Sequence, residues 1–437
     1  MKFGLGKLGL CFSVCLAEKG FNVIGVDIEE KVVDFVNRGV APWYEPRLDE
    51  LLKKHGGKRL IATTNHSEAI EKTDITFILV ATPSLPDGSF SNRFIESALT
   101  SLAKSLSTSK KEKHLFVISS TVMPESTEKV FIPLLEKYSG RKINQGFSVC
   151  YDPDFVALGN IIKGFLKPDF VVIGQSSDEA GKIVEGIHKR MCENNPPIFR
   201  MSIVNAELAK VCLNAYITVK ISFANSIANL CEKVPGADVD AITEAIGVDK
   251  RISPYYFRGG LSFGGTCFPR DIRAYKTIAK KYGVQAEIIH AVDRVNKIQD
   301  ELLFEKVYSE VKKNNFKNVG ILGLAFTTNT SVITESPAIK LIKRLLEKDI
   351  VVLAYDRLAI DNTRNLFGSA VEYVESPEAC LSNSELCVIT LRDEYIKKTV
   401  ESFHPKTDLV IVDCWRVLNS ERLDKRIKLI SFGRYNF

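Results

Sequence analysis

The segment Phe-Gly-Gly-Thr-Cys-Phe-Pro-Arg-Asp, residues 263–271, holds the side chains with the clearest potential for covalent chemistry. Cys267 follows two glycines, Gly264 and Gly265, which would let a ligand approach the backbone closely. Arg270 lies three residues further on, and a neighbouring cation favours the thiolate, the nucleophilic form of cysteine. The sequence therefore predicts a candidate nucleophile at Cys267, with a loop cysteine that has no role as the alternative.

Gly4, Gly6 and Gly9 form the pattern Gly-x-Gly-x-x-Gly directly before a helical run, and the next strand ends in Asp27. Glycines allow a tight turn, and the following helix N-terminus offers unpaired N–H groups to a pyrophosphate. A carboxylate at the end of the second strand accepts hydrogen bonds from ribose hydroxyls and favours NAD over NADP. The pattern predicts NAD binding, although the strand before the glycines spans only residues 1–3. A tight turn without a ligand is the alternative.

A polar stripe runs along an otherwise apolar helical segment, at residues Glu207, Lys210, Asn214 and Thr218. Their spacing places all of them on one helix face. From periodicity alone a solvated face is favoured, and a face that lines a binding site is the alternative. In the second case, an amine and an amide on one face would suit oxyanion stabilisation and sugar recognition.

The composition is that of an ordinary soluble globular protein of two or three domains, with 437 residues, 45% hydrophobic and 26% charged. A net charge of +6 is mild and argues against a nucleic-acid partner. The ten cysteines form no CxxC pair and the six histidines show no ligand spacing, so no metal site is expected. We expect a reduced, cytoplasmic protein. The opening apolar run resembles a signal peptide but is interrupted by Lys7, and we expect no membrane span.

The order of predicted elements indicates an α/β protein. Apolar runs predict strands at 21–27, 75–82, 114–121, 169–174, 319–325, 350–356, 386–391 and 409–415, and a long helix at 202–234. Strands that alternate with helices favour parallel sheets covered on both faces. The predicted fold is two Rossmann-like, doubly wound parallel-sheet domains joined by an all-α middle domain with a long helix. The domains are placed at residues 1–195, 196–313 and 314–437.

Motifs along nearly the whole chain resemble those of the nucleotide-sugar dehydrogenase family, which includes UDP-glucose 6-dehydrogenase and GDP-mannose dehydrogenase. They are GLGKLG (4–9), CLAEKGFNVIGVD (15–27), YEPRLDELL (44–52), VATP (80–83), SSTVMPEST (119–127), NAELAKVCLNAYITVKISFAN (205–225), FGGTCFPRD (263–271) and GLAFTTNTSVITESPA (323–338). The resemblance implies a four-electron oxidation of a sugar primary alcohol to a carboxylate with two NAD. It also implies a homodimer or higher homo-oligomer formed through the long helix.

The same resemblance implies roles for individual residues. Cys267 would attack the aldehyde to form a thiohemiacetal that is oxidised to a thioester, and Lys210 would stabilise the oxyanion. Asp271 and Thr121 would position or activate water. The implied catalytic residues are Cys267, Lys210, Asp271, Thr121, Asn214 and Asp154. The implied NAD-binding residues are Gly4, Gly6, Gly9, Asp27, Lys31, Thr82 and Thr121. The implied substrate-binding residues are Phe155, Lys210, Asn214, Arg251, Phe263 and Gly264. Arg251 would reach the substrate of a partner subunit.

Several positions depart from the family pattern. A glutamate is replaced by the shorter Asp154, and a second by Leu158. Two cations expected near the substrate phosphates are replaced by Thr327 and Thr334, and Arg357 or Arg416 would have to compensate.

Because of these departures, three interpretations stay open. The first is oxidation of UDP-glucose to UDP-glucuronate, which would supply surface polysaccharide. The second is a UDP-N-acetylhexosamine or GDP-mannose 6-dehydrogenase. The third is a non-catalytic dinucleotide-binding paralogue.

Overall fold

The computed structural model describes residues 1–435, and the chain divides into two compact units, Met1–Leu213 and Asn214–Phe437. Each unit contains one β-sheet, and the division falls within a long helix that both units share. The partition into three domains is finer than this division and stays a prediction.

The first unit is built on an eight-stranded sheet in the order β3-β2-β1-β4-β5-β6-β7-β8. Its strands are β1 (Lys2–Phe3), β2 (Val23–Val26), β3 (Leu60–Thr63), β4 (Ile75–Ile78), β5 (Leu115–Ile118), β6 (Ser148–Tyr151), β7 (Val171–Gln175) and β8 (Ile198–Met201). Every pair is parallel except β6 with β7, which is antiparallel. The sheet is therefore mixed, a common form in which antiparallel strands extend a parallel sheet.

The shortest strand, β1, lies at the centre of this sheet. Lys2 and Phe3 pair with β2 on one side and with β4 on the other. Backbone bonds beyond the strand complete both ladders, since Phe77 N donates to Met1 O at 2.9 Å and Gly4 N donates to Val26 O at 2.8 Å. The sheet thus accommodates a central strand of two residues, and the turn that follows is held by strands on both sides.

Helices cover both faces of the first sheet. They are α1 (Lys7–Glu18), α2 (Glu30–Asn37), α3 (Leu48–His55), α4 (His66–Glu71), α5 (Arg93–Thr108), α6 (Ile132–Ser139), α7 (Ile161–Leu166) and α8 (Asp178–Met191), with a π-helical turn at Thr127–Phe131. Successive residues of β5 enter opposite cores, because side chains alternate along a strand. Leu115 and Val117 pack with α1, whereas Phe116 and Ile118 pack with α5.

The helix α9 (Ile203–Cys231) is 29 residues long and continues from the first unit into the second. By length and hydropathy alone it could cross a membrane, yet 44% of its most apolar window is buried within the protein. A core helix of a globular protein meets the same criteria. Its buried polar residues, described below, favour that second explanation.

The second unit contains a six-stranded, fully parallel sheet in the order β11-β10-β9-β12-β13-β14. Its strands are β9 (Asn318–Leu322), β10 (Val351–Tyr355), β11 (Glu372–Tyr373), β12 (Leu386–Ile389), β13 (Leu409–Asp413) and β14 (Ile427–Ser431). Its helices are α10 (Val239–Gly247), α11 (Phe268–Lys281), α12 (Glu287–Asn314), α13 (Pro337–Leu346), α14 (Ile360–Phe367), α15 (Pro377–Ser382) and α16 (Glu394–Ser402), with 3-10 turns at Gly368–Ala370 and Ser420–Arg422. The predicted fold class is confirmed: two doubly wound sheets with a helical region between them in the chain.

Candidate active site

The turn after β1 fits a pyrophosphate. Gly4 has φ 91°, and a Cβ there would lie 2.3 Å from Leu79 O, while a Cβ on Gly9 would lie 2.0 Å from Gly4 O. These two glycines are therefore required by contacts within the protein. A Cβ on Gly6 would meet nothing within 4 Å, although Gly6 caps α1 without a side-chain bond. Open space over an uncapped helix N-terminus is where a dinucleotide phosphate can approach the backbone.

Asp27 follows β2 and holds the same turn. Its Oδ2 accepts a hydrogen bond from Leu5 N at 2.7 Å, and its Oδ1 accepts one from Glu29 N at 3.0 Å. Each carboxylate oxygen has a second lone pair that could accept from a ribose hydroxyl. Lys31 lies exposed in the first turn of α2. The residues predicted to hold the adenosine ribose thus lie at the carboxyl end of β2, as that role requires.

Thr82 and Thr121 lie at the carboxyl ends of neighbouring strands, after β4 and β5. Thr82 Oγ1 donates to Thr121 O at 2.8 Å, and Ser120 Oγ donates to Val80 O at 2.8 Å. The chain order reverses between β1 and β4, and dinucleotides bind at such a switch point in open α/β sheets. Both threonines therefore border the crevice that the glycine turn opens.

The stripe on α9 is buried, so the interpretation as a solvated face is wrong. Glu207 and Thr218 are fully buried, and Lys210 and Asn214 are almost so. Glu207 accepts bonds from Glu125 N at 2.7 Å and from Thr127 N at 2.9 Å. An apolar helix with a single buried polar face has to pair each of those groups within the protein. The periodicity alone could not reveal this outcome.

Lys210 reaches the segment after β6, where Asp154 and Phe155 lie. Its Nζ donates to the backbone carbonyl of Asp154 and lies 4.9 Å from the centre of the Phe155 ring. Asp154 Oδ2 is buried and has no hydrogen-bond partner among residues 1–435. Burial raises the pKa of Asp154 to about 6, against the opposing charge of Lys2. A carboxyl group that titrates near neutral pH suits proton transfer.

A buried ion pair between His188 and Asp152 holds the segment that contains Asp154. His188 Nε2, on α8, lies 3.0 Å and 2.9 Å from the two carboxylate oxygens of Asp152. Burial opposes protonation of His188, but the Asp152 carboxylate outweighs it and raises the pKa of His188 to about 10. Leu158 packs half-buried against the core of the first unit and offers no acid at that position.

Cys267 lies exposed at the N-cap of α11. Thr266 Oγ1 is 3.6 Å from its Sγ, and Asp271 N donates to the Cys267 carbonyl at 2.8 Å. The positive end of a helix dipole stabilises negative charge at this position. The thiol is therefore accessible, and the first turn of a helix fixes its backbone.

Asp271 lies one turn after the cysteine and is fully buried. Its Oδ1 accepts from Arg270 Nε at 2.8 Å, and its Oδ2 accepts from Asn214 Nδ2 at 2.5 Å. Two residues predicted from separate motifs, Asn214 and Asp271, are thus in direct contact. Lys210 is one turn before Asn214 on α9. The same helix therefore carries the lysine that contacts Asp154 and the asparagine that contacts Asp271.

Three buried amide side chains hold the glycine-rich loop that precedes Cys267. They were not predicted from the sequence. Asn225 Oδ1 accepts from Gly260 N at 2.8 Å, and Gln299 Nε2 donates to Gly260 O at 2.5 Å. Asn296 bonds both backbone groups of Phe263, at 2.7 Å and 3.1 Å. A signal existed for one of them, because Asn225 continues the polar stripe of α9.

Gly264 and Gly265 are explained by packing within the protein. A Cβ on Gly264 would lie 2.3 Å from Glu335 O. Gly265 has φ 83°, and a Cβ there would lie 2.6 Å from the Phe326 ring. Its N–H donates to Thr334 O at 2.9 Å. Both glycines therefore let the cysteine loop pack against the segment that follows β9, in addition to any approach by a ligand.

Eight of the other nine cysteines lack the exposure of Cys267. All ten lie in the described part of the chain and are unpaired, and Cys212 is exposed as well as Cys267. Burial raises the pKa of the Cys11 and Cys15 thiols far above their ordinary value, which keeps them protonated. Within residues 1–435, no three His, Cys, Asp or Glu side chains are grouped so that they could hold a metal ion.

Arg416 does not compensate for the missing cations. Its side chain is fully buried, and its Nε and Nη2 bond Asp240 at 2.7 Å and 2.9 Å. Nη2 also donates to Gly259 O at 2.7 Å. Arg357 is exposed, donates to Asn329 Oδ1 at 3.0 Å and lines one small cleft with Thr327.

Two further arginines, Arg258 and Arg392, have side chains without a hydrogen bond or ion pair among residues 1–435, and the charges of Arg258 and Arg416 both act on Arg392. Arg392 follows β12 and is exposed, and Arg258 precedes Gly259 and is half-buried. Burial and the neighbouring charge of Arg258 lower the pKa of Arg392. An unpaired cation at the carboxyl edge of a parallel sheet, such as Arg392, suits a phosphate ligand.

Exposed residues mark one further surface. The Arg251 side chain is 87% exposed and pairs with Asp249 at 2.6 Å. Along α9, large side chains at seven-residue intervals are exposed, Tyr216 at 62%, Phe223 at 59% and Leu230 at 63%. A repeated interval of this kind produces an apolar strip along one helix face.

Comparison with known proteins places the chain in a family. Three domain patterns of the UDP-glucose/GDP-mannose dehydrogenase family match this chain. The NAD binding domain matches residues 1–192, the central domain residues 204–298 and the UDP binding domain residues 320–420. UDP-glucose 6-dehydrogenase AglM of Haloferax volcanii is 35% identical over 95% of this chain and 96% of that protein. GDP-mannose 6-dehydrogenase of Pseudomonas putida is 32% identical over 90% of this chain and 91% of that protein.

A solved structure agrees over the whole chain. The UDP-glucose dehydrogenase of Pyrobaculum islandicum has a TM-score of 0.89 and 32% identity, covering 100% of this chain and 97% of that one. The glycine turn with Asp27 fits the NAD that the first domain pattern describes. The chain belongs to the UDP-glucose/GDP-mannose dehydrogenase family and is an NAD-dependent nucleotide-sugar 6-dehydrogenase.

Proposed function

We propose that this chain oxidises the primary alcohol of UDP-glucose to the carboxylate of UDP-glucuronate, with Cys267 as the covalent nucleophile. The observation that supports this best is an exposed thiol at the N-terminus of α11, with the buried Asp271 one turn away and held by Asn214. A nucleophile in this setting can retain an aldehyde intermediate and divide a four-electron oxidation into easier steps.

The bond changes follow from that role. After the first oxidation, the Cys267 sulfur adds to the aldehyde carbon and gives a thiohemiacetal. Removal of a hydride converts the thiohemiacetal to a thioester, and water then cleaves the carbon–sulfur bond to release the carboxylate and restore the thiol. NAD, when bound, accepts one hydride in each of the two oxidations.

The chain's own residues control charge and protons in these steps. The Lys210 ammonium stabilises the oxyanion, as a fixed cation does best where water is excluded. Asp154, with its pKa raised by burial to about 6, accepts a proton from the attacking water, and Thr121 orients that water. Asp271 and Asn214 position the helix that begins after Cys267.

The nucleotide and the sugar are assigned from the relatives and from the cations of the second unit. UDP-glucose is favoured because UDP-glucose 6-dehydrogenase AglM is 35% identical over 95% of this chain, against 32% over 90% for the GDP-mannose 6-dehydrogenase of Pseudomonas putida. We propose that Arg258, Arg392 and Arg357 contact the diphosphate in place of the cations replaced by Thr327 and Thr334. That replacement supports GDP-mannose or a UDP-N-acetylhexosamine as the second candidate substrate.

We further propose a cytoplasmic homodimer or higher homo-oligomer that forms through the apolar strip of α9. The strip consists of Tyr216, Phe223 and Leu230. Arg251, exposed on its own subunit, would reach the substrate of the partner subunit. The eight buried, unpaired thiols fit a reducing compartment.

The test is a panel of nucleotide sugars with purified protein and NAD, followed by NADH formation and the acid product. UDP-glucose is expected to give the highest kcat/KM and UDP-glucuronate as the product. A preference for GDP-mannose or a UDP-N-acetylhexosamine would reassign the substrate and retain the chemistry. Folded protein that binds NAD and oxidises no sugar would overturn the proposal.

A further inference from the structure

A cleft on the first unit is not used by the proposed reaction. It has a volume of about 290 Å³ and lies between the segment before α3 and the helix α7. Ile162 and Leu166 are buried at its base, while the basic side chains Arg47, Lys163 and Lys167 are exposed at its edge. An apolar base with cations around it is a surface that a small anion with an apolar part can occupy.

Arg47 has an unusual backbone. Its φ is 69°, in the left-handed region that costs energy for residues other than glycine, asparagine and aspartate. Among residues 1–435, five others outside those three types share such a φ: Glu125, Ser253, Tyr256, Glu335 and Arg416. Strain of this kind is enriched at functional sites. Arg47 is the one of the six that lines this cleft.

A buried carboxylate fixes Arg47 opposite α7. Glu45 accepts hydrogen bonds from Ile161 N at 2.8 Å and from Gly159 N at 3.2 Å, and it is 7% exposed. The segment that carries Arg47 is therefore attached to the start of α7. This attachment brings Arg47 into the cleft that also contains Lys163 and Lys167.

The charges in the cleft are predominantly positive. Its one carboxylate, Glu193, is paired with Lys19 at 2.7 Å and with Lys167 at 3.7 Å. The side chains of Arg47 and Lys163 make no hydrogen bond or ion pair in the described part of the chain. Three exposed cations around one carboxylate leave the cleft with a net positive charge, which favours phosphate oxygens because each bond is charge-assisted.

We propose that this cleft binds a small phosphorylated anion, of the size of a sugar phosphate or a nucleoside monophosphate, through Arg47, Lys163 and Lys167. The volume is near the lower limit of cavities that hold small ligands, roughly 300 Å³. The site is separate from the glycine turn that holds the dinucleotide, and it does not depend on which sugar the enzyme oxidises.

The experiment uses full-length protein saturated with NAD, so that the glycine turn is occupied, and titrates inorganic pyrophosphate by calorimetry at fixed ionic strength. Constant salt is needed because exposed charges are screened. Arg47→Gly and Lys163→Gln are each expected to weaken binding by about tenfold or more, since each removes a charge-assisted contact. Arg47→Gly is also expected to raise the Tm by about 2 °C, because glycine adopts a positive φ without strain.

The matched control is Lys53→Gln. Lys53 lies on α3 beside the cleft but pairs with Asp49 at 2.5 Å and does not line it. Binding lost in Arg47→Gly and Lys163→Gln but kept in Lys53→Gln would support the site. If wild-type protein does not bind pyrophosphate, or if both cleft variants bind it as wild type does, the proposal is overturned.

Discussion

Asn214 donates a hydrogen bond of 2.5 Å to Asp271, and this contact connects α9 to the first turn of α11. The other carboxylate oxygen of Asp271 accepts from Arg270 at 2.8 Å, so both oxygens are engaged. Because Cys267 is the N-cap of α11, the contact also fixes the helix end from which the thiol projects. We therefore propose that Asn214 and Asp271 act on the Cys267 thiol through the backbone that carries it.

Replacing Asn214 by alanine should lower kcat by about 100-fold, because the buried Asp271 loses a partner and α11 loses an anchor. NAD affinity should stay at the wild-type value, since the dinucleotide residues are unaffected. Steady-state kinetics and an NAD titration measure both quantities. Asn205→Ala, at an exposed position near the start of the same helix, is the control, and an Asn214→Ala enzyme with wild-type kcat would refute this role.

Asp27 and Asp356 occupy matching positions at the ends of β2 and β10. Asp27 accepts from Leu5 N at 2.7 Å, and Asp356 accepts from Leu324 N at 2.8 Å. Asp356 is buried and makes three more backbone bonds, to Ala325, Leu358 and Ala359. Asp27 is less buried and makes only one more, so it keeps capacity for a ribose.

We expect Asp27→Ala to weaken NAD binding by about tenfold to 100-fold, the effect of losing bonds to a charged acceptor. Asp356→Ala should instead lower the free energy of unfolding and leave the affinity of the folded protein for NAD unchanged. Fluorescence titration and thermal melts compare the two variants. Equal losses of NAD affinity in both would show that Asp27 acts only through the fold.

The buried pair of His188 and Asp152 should make stability depend on pH. The pKa of His188 is raised from 6.5 to about 10 in the folded state, so the pair contributes fully below pH 6.5 and less as the pH rises towards 10. His188→Gln should therefore lower the free energy of unfolding by about 3 kcal/mol at pH 6, and by clearly less at pH 10.

Denaturant unfolding at both pH values tests this prediction. The exposed His404 provides the control variant, His404→Gln, which should change little at either pH. A destabilisation by His188→Gln that is the same at pH 6 and pH 10 would show that the histidine acts by packing alone.

Arg392 should affect the binding of substrate more than the rate of chemistry. Arg392→Gln is expected to raise KM for the nucleotide sugar by about tenfold, with kcat nearly unchanged, because it removes a cation next to the diphosphate. Arg344→Gln, in an exposed pair with Glu301 at 2.6 Å, is the control for charge alone. An unchanged KM for Arg392→Gln would exclude this contact.

Local sequence signals predict the parts of the candidate site that lie in short motifs. The glycine turn with Asp27, and Cys267 beside Asp271, could be predicted because each depends on residues close together in the chain. The burial of Glu207 could not, since periodicity shows that residues share a face but not what covers the face. Only the fold brings Thr127 to that carboxylate, 80 positions away in sequence.

Contacts between distant residues with ordinary side chains left no signal. Asn296 clamps Phe263 from 33 positions away, and His188 pairs with Asp152 from 36 positions away. Neither residue belongs to a pattern that indicates chemistry. The role suggested for Arg416 failed for the same reason, because Asp240, its partner, lies 176 positions away.

The most direct test of the central claim is the amount of NADH formed per nucleotide sugar consumed, in wild type and in Cys267→Ser. We expect two NADH per sugar and a carboxylate product for wild type. For Cys267→Ser we expect loss of the second oxidation, because a serine ester cannot replace the thioester at a useful rate. A Cys267→Ser enzyme that forms two NADH per sugar at the wild-type rate would contradict the covalent role of Cys267.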